Sequence, residues 1–133
     1  MIFLDTSAIY ALADADDDRH ESAERLFEAA RKSGRGILTH SYMLVESAAL
    51  LQRRLGLRTA LAFLDKARYF TVRWVTQEIH SEAVAYLAEQ GRSKLSLVDA
   101  VSFCVMRREG ITEVLGFDGH FQDAGFRYYW TGS

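Results

Sequence analysis

The sequence predicts an α/β fold in which a parallel sheet is covered by helices on both faces, and three observations carry that prediction. Short apolar or β-branched runs alternate with longer amphipathic segments along the whole chain. No two strand-like runs are joined by a two-residue hairpin turn, so consecutive strands must cross over. The chain contains no Pro, no internal repeat and no low-complexity tract that would mark a linker. Such alternation is the pattern of a sheet held between helix layers, a three-layer α/β/α sandwich.

Residues 1–4 read as a short buried strand, and Asp5, Thr6 and Ser7 supply helix-start chemistry for the apolar residues 8–13. A polar loop, 14–18, precedes an amphipathic helix over 19–33 with Ala23, Leu26, Phe27 and Ala30 on one face. Gly34 is its stop. Residues 37–39 make the second strand, and Ser41 is read as the cap of a third helix reaching Leu55. Gly56 breaks that helix and another follows to about residue 67. Residues 69–75, with Phe70, Val72 and Trp74 alternating, read as the third strand. Thr76 caps a helix over 77–90, and the loop 91–94 leads to a helix over 96–109 that Gly110 ends. A fourth strand over 113–117, a helical turn over 118–124 and a fifth strand over 126–130 complete the chain.

A chain of 133 residues, 49% apolar and 26% charged, is expected to form a single domain, 1–133, with its own core. No apolar run approaches the roughly 20 residues of a membrane helix, and the N-terminal stretch lacks a signal peptide's basic segment. One Cys excludes an internal disulfide, so a cytoplasmic location with no membrane partner is expected. Cys104, among Val101, Phe103 and Val105, reads as a core filler. The net charge of −2 argues against holding nucleic acid by bulk positive charge, although bound cations would offset acids locally.

Four acids stand out against this background. Asp5 follows the first strand, Glu46 and Asp99 interrupt apolar helical stretches, and Asp118 follows the fourth strand. None has a Lys or Arg within four positions on either side. A carboxylate in apolar company is costly unless a cation meets it. Ligands of open parallel sheets sit beyond the carboxyl ends of the strands, where the strand order reverses. If the order is 3-2-1-4-5, Asp5 and Asp118 lie on adjacent strand tips at that point. Four converging carboxylates repel one another, and a divalent cation relieves the repulsion. All-oxygen donors select Mg²⁺ or Mn²⁺, and such ions can activate water to cleave a phosphodiester in line, leaving a 5′-phosphate. His20, His40, His80 and His120 show no metal-ligand spacing and read as structural or solvated, with His40 and His120 placed just past strand ends.

The run Asp5-Thr6-Ser7-Ala8, Glu46 on the third helix, the stretch from Leu95 to Phe103 around Asp99, and Gly116-Phe117-Asp118-Gly119-His120-Phe121 resemble, in order and spacing over the whole chain, the PIN-domain ribonucleases, and among them the VapC-type toxins. The resemblance implies a five-stranded parallel sheet between helices and a Mg²⁺- or Mn²⁺-dependent endoribonuclease. It maps the family's acidic metal-binding and catalytic residues onto Asp5, Glu46, Asp99 and Asp118. The family's small hydroxyl falls on Thr6 or Ser7, where Ser7 would assist Asp5 or the attacking water. It further implies an RNA substrate, a homodimer and a cognate antitoxin protein whose tail enters the acidic groove. Gly119 departs from the basic residue many relatives carry there.

Two rivals are weighed against this reading. An α/β phosphatase using Asp5 as nucleophile would place a second Asp where Ser7 stands. A catalytically silent RNA-binding module would not need the full acidic set. Asp14, Asp16 and Asp18 resemble the start of a calcium loop, but Arg19 and Arg25 occupy the positions that need Gly and Glu. Arg53, Arg54, Arg58, Arg92 and Lys94 read either as RNA-backbone contacts or as solvated helix ends. Tyr128, Tyr129 and Trp130 read either as base-stacking rings or as edge-strand packing. Leu55, Leu57, Leu61 and Leu64 exceed the needs of one small core and point to a dimer surface.

Overall fold

The computed structural model describes residues 1–131. Five short strands, β1 (Ile2–Leu4), β2 (Ile37–His40), β3 (Thr71–Arg73), β4 (Glu113–Leu115) and β5 (Arg127–Tyr128), form one sheet in the order β3-β2-β1-β4-β5. Every adjacent pair is parallel. The helices are α1 (Thr6–Ala13), α2 (His20–Lys32), α3 (Ser41–Leu55), α4 (Leu57–Lys66), α5 (Gln77–Gln90), α6 (Leu97–Glu109) and α7 (His120–Asp123). The result is the expected sandwich, with β1 and β2 buried along their whole length, as strands covered on both faces must be.

Local chemistry explains most boundaries. Asp5 caps α1 by accepting from the Ser7 amide, and Thr76 caps α5 by accepting from the Ile79 amide. Ser96 and Asp99 form a reciprocal capping box at the start of α6. Gly56, with φ of 98°, lets α3 end and α4 begin without an intervening loop.

Three expectations are corrected. The cap of α3 is His40 and not Ser41: the His40 Nδ1 accepts from the Met43 amide, and the Ser41 hydroxyl turns to the Val75 amide on the next strand's exit. The third strand is only three residues long, because residues 67–69 continue α4 as a 3₁₀ turn and leave Tyr69 and Trp74 exposed at the sheet's edge. The fourth and fifth strands stop at Leu115 and Tyr128, earlier than the sequence pattern indicates, because Gly116 to Asp118 leave the ladder to form the site described below.

The core is centred on α6, in which every residue from Ala100 to Met106 is buried. Phe103 meets Phe121 edge-on at 5.3 Å and stacks on Phe126 at 5.7 Å, and Phe121 reaches Phe3 of β1 at 6.0 Å. Cys104 is buried there as a small apolar residue. Among the described residues no helix is long and apolar enough to cross a membrane. Because the Phe103 ring is shared by α6, α7 and the approach to β5, Phe103→Ala should cost about 3–5 kcal/mol. The shift in urea midpoint measures it, and a loss under about 1 kcal/mol would show that the ring is not central to the core.

Candidate active site

Asp5 is the innermost of the four acids. Its residue is 3% exposed and its backbone amide extends the β1–β4 ladder by donating to the Leu115 carbonyl. Ser7 holds the carboxylate twice, its amide at 3.1 Å and its hydroxyl at 2.6 Å, both on Oδ2. Burial raises the Asp5 carboxyl above the ordinary range, the Ser7 bonds oppose that rise, and the charges of Asp118 and then Asp99 add to it. Glu46 lies at the rim. Desolvation and then repulsion from Asp99 and Asp5 hold its carboxyl above the ordinary range too. The fold therefore brings Asp118, Asp99 and Glu46, from the end of β4, α6 and α3, within electrostatic reach of Asp5, and Glu46 within reach of Asp99. Among the described residues no Lys or Arg pairs with any of them, and only His120 approaches Asp118, at 3.6 Å.

As they stand, the acids do not close on one point: among the described residues no three His, Cys, Asp or Glu side chains are gathered to hold a metal ion. The reason is local. Each half-occupied carboxylate is turned toward its own backbone. Asp99 Oδ2 accepts from the Ser96 amide in the capping box, and Asp118 Oδ1 accepts from the His120 amide. One oxygen of each is engaged in this way and the other makes no hydrogen bond among the described residues. The donor chemistry, four carboxylates with Asp5 desolvated and no cation beside it, fits a hard divalent ion. A side-chain rotation at Asp99 and Asp118 is what would complete such a site.

Residues beside the acids tie their elements together, and sequence reasoning did not foresee most of these ties. The Thr6 and Ser47 hydroxyls meet at 2.7 Å, linking the residue after Asp5 to the residue after Glu46. The Phe117 amide donates to the Ser7 hydroxyl at 2.8 Å, linking the Asp5 turn to the residue before Asp118. His40, fully buried, accepts from the Met43 amide at Nδ1, so its Nε2 carries the proton and donates to Ser102 at 2.8 Å. The Ser102 hydroxyl in turn donates a hydrogen bond to the Val98 carbonyl. That chain joins the helix of Glu46 to the helix of Asp99. The only advance signal was His40 lying past a strand end.

Gly116 is a further residue of the site. A Cβ there would stand 2.9 Å from the Asp5 Cβ and 3.2 Å from both Asp5 Oδ2 and the Ser7 hydroxyl. Any side chain at this position must push Asp5 aside. Two of the basic residues read as possible RNA contacts are engaged by neighbouring side chains. Arg54 lies over the Tyr10 ring at 5.5 Å, and Arg92 pairs with Asp123 at 3.6 Å.

Two outcomes are expected from this geometry. Gly116→Ala should lose about 1–3 kcal/mol by overpacking, read by urea denaturation, and an unchanged midpoint would mean that Asp5 yields freely. His40 titrates with its pKa pushed down to about 3 by burial, below the ordinary 6.5. Its contribution to stability is complete above 6.5 and is lost as pH falls from there toward 3. His40→Gln should flatten the acid limb of the Tm–pH curve over that window, and a variant curve parallel to the parent's would contradict the neutral, buried imidazole.

Comparison with known proteins agrees with the fold. A family model described as the PIN domain matches residues 2–127. The chain is 38% identical over 128 residues to the 23S rRNA-specific endonuclease VapC20 of Mycobacterium tuberculosis, with 95% of each chain covered. The crystal structure of that VapC20, a sarcin–ricin loop cleaving toxin, superposes with a TM-score of 0.87 at 37% identity, covering 95% of this chain and 96% of that one. FitAcB from Neisseria gonorrhoeae shares the fold, with a TM-score of 0.64 at 14% identity over 97% of this chain and 96% of that one. The chain belongs to the PIN-domain family, in its VapC branch.

Proposed function

We propose that the chain is a single-domain, Mg²⁺- or Mn²⁺-dependent endoribonuclease that hydrolyses RNA phosphodiester bonds. The observation that carries the reading is the gathering of Asp5, Glu46, Asp99 and Asp118, from four separate elements, around a carboxylate that is buried without a cationic partner. Structural acids of this kind would be paired or solvated. The kinship with a 23S rRNA-specific endonuclease supports the same reaction class and makes ribosomal RNA the first substrate to test.

Asp5, Asp99, Asp118 and Glu46 would hold the ion. When bound, it supplies a Lewis acid that activates water and stabilises the leaving oxygen. Ser7 keeps Asp5 in one orientation through the 2.6 Å bond; both Ser7 contacts fall on Oδ2, and Oδ1 makes no hydrogen bond among the described residues. Glu46, whose carboxyl is raised above the ordinary range by burial and then by the charges of Asp99 and Asp5, is suited to take a proton from the attacking water. The products would be a 5′-phosphate and a 3′-hydroxyl, with no part for the ribose 2′-hydroxyl.

The wider role proposed is that of the toxin of a toxin–antitoxin pair acting in the cytoplasm, restrained by a cognate antitoxin protein. The exposed Leu57, Leu61 and Leu64 of α4 supply a face for a second copy of the chain. Beside them, Ile9, Leu12, Phe27 and Phe63 line a groove of about 850 Å³.

Asp99→Asn and Glu46→Gln should each reduce Mn²⁺-dependent RNA cleavage by at least about a hundredfold, since even residues that only orient metal ligands cost 10–100-fold. Their far-UV circular dichroism should match the parent's. Cleavage of ribosomal RNA by either variant at the parent's rate, or by the parent in EDTA, would overturn the metal mechanism.

A further inference from the structure

We infer that the aromatic pocket next to the acids is a stacking site for a nucleobase of the bound RNA strand, with Trp130 as its exposed platform. This rests on the RNA substrate of the preceding section. The pocket encloses about 230 Å³ and is walled by Gly116, Phe117, Tyr128, Tyr129, Trp130 and Arg19. It is too small for a drug-sized ligand and in scale with a single ring system.

Its position follows from strand register. Leu4 of β1 is level with Leu115 of β4, which puts Asp5 beside Gly116. Val114 is level with Tyr128, and the Tyr129 amide donates to the Val114 carbonyl, so Trp130 follows beside Gly116. Asp5, Gly116 and Trp130 thus lie just past the ends of three neighbouring strands, β1, β4 and β5, and Gly116 and Trp130 wall the same pocket. Gly116 is the shared wall: one side touches Asp5 and the other lines the pocket. The Tyr128 hydroxyl donates to the Asp118 carbonyl, which fixes that ring against the acidic loop.

The chemistry of the walls selects the occupant. Trp130 is 61% exposed although it adjoins a cavity, so one face of its ring is open to a ligand. The Arg19 guanidinium stands 5.0 Å over the Phe117 ring and donates to the Phe117 carbonyl, leaving a fixed cation at the pocket's rim for the strand's phosphates. A protein of net charge −2 with a cluster of acids cannot attract RNA by overall charge. Stacking on open rings needs no net charge and accepts any base. A pocket of this kind one residue from the acids would hold a base adjoining the phosphate to be cut.

The chain has two tryptophans, so Trp74→Phe leaves Trp130 as the sole tryptophan. Emission of that variant is titrated in EDTA with a short single-stranded oligoribonucleotide and with an abasic strand of equal length. Saturable quenching is expected with the first and at most a weak response to the second. Trp130→Ala should weaken binding about 5- to 150-fold, Trp130→Phe should largely restore it, and in Mn²⁺ the alanine variant should raise KM more than it lowers kcat. Equal quenching by both strands, no quenching, or unchanged affinity on Trp130→Ala would overturn the inference. If quenching occurs as described while the parent cuts no RNA, the stacking site stands and the hydrolytic reading falls.

Discussion

A carboxylate almost closed off from water at the middle of the sheet's edge sets the terms for everything around it. Asp5 is 3% exposed, and removing a charge from water is expensive unless something returns the lost solvation. Ser7 returns part of it through two hydrogen bonds, and the remaining carboxylates make the balance worse. The core beneath tolerates this because β1 is held on both sides, by β2 and β4, and cannot move outward to rehydrate its end. The strain is electrostatic and confined to one edge, which is where a parallel sheet offers its binding crevice.

The acids come from elements far apart in the chain, and hydrogen bonds one step removed from each carboxylate set their separation. Thr6 to Ser47, Phe117 to Ser7 and His40 to Ser102 span |i−j| of 41, 110 and 62 residues. Small hydroxyls suit this task, since each can donate one hydrogen bond and still accept, and among the described residues no buried side-chain donor or acceptor is left over. A site framed by such bonds keeps its shape without using the carboxylates as struts. Asp99 and Asp118 each engage one oxygen with a backbone amide of their own turn and leave the other without a hydrogen bond among the described residues.

The same edge divides by chemistry. On the β1 side lie the acids, suited to a cation and a phosphate. On the β5 side lie open aromatic rings and Arg19, suited to a base and its backbone. Gly116 separates them with no side chain, which allows the two surfaces to approach within a backbone's width. The acids and the proposed base contact thereby lie at the ends of neighbouring strands, so that the register of β4 and β5 governs their spacing.

By itself the sequence determined the layer order, the five strands, most helix ends and the four acids. Those features rest on local matters: periodicity, capping side chains, glycines with positive φ, and carboxylates stranded in apolar runs. The parallel order 3-2-1-4-5 was one choice among several until the sheet itself placed β1 between β2 and β4. Tertiary structure alone decided that His40, and not the better intrinsic capper Ser41, starts α3, because Val75 claims the Ser41 hydroxyl and Ser102 claims the imidazole's other nitrogen. It also decided the short outer strands, and the role of Gly116, whose importance lies in what stands opposite it, Asp5, some hundred residues earlier in the chain. Contacts of that range leave no local pattern, since each partner is an ordinary residue until folding sets the two side by side.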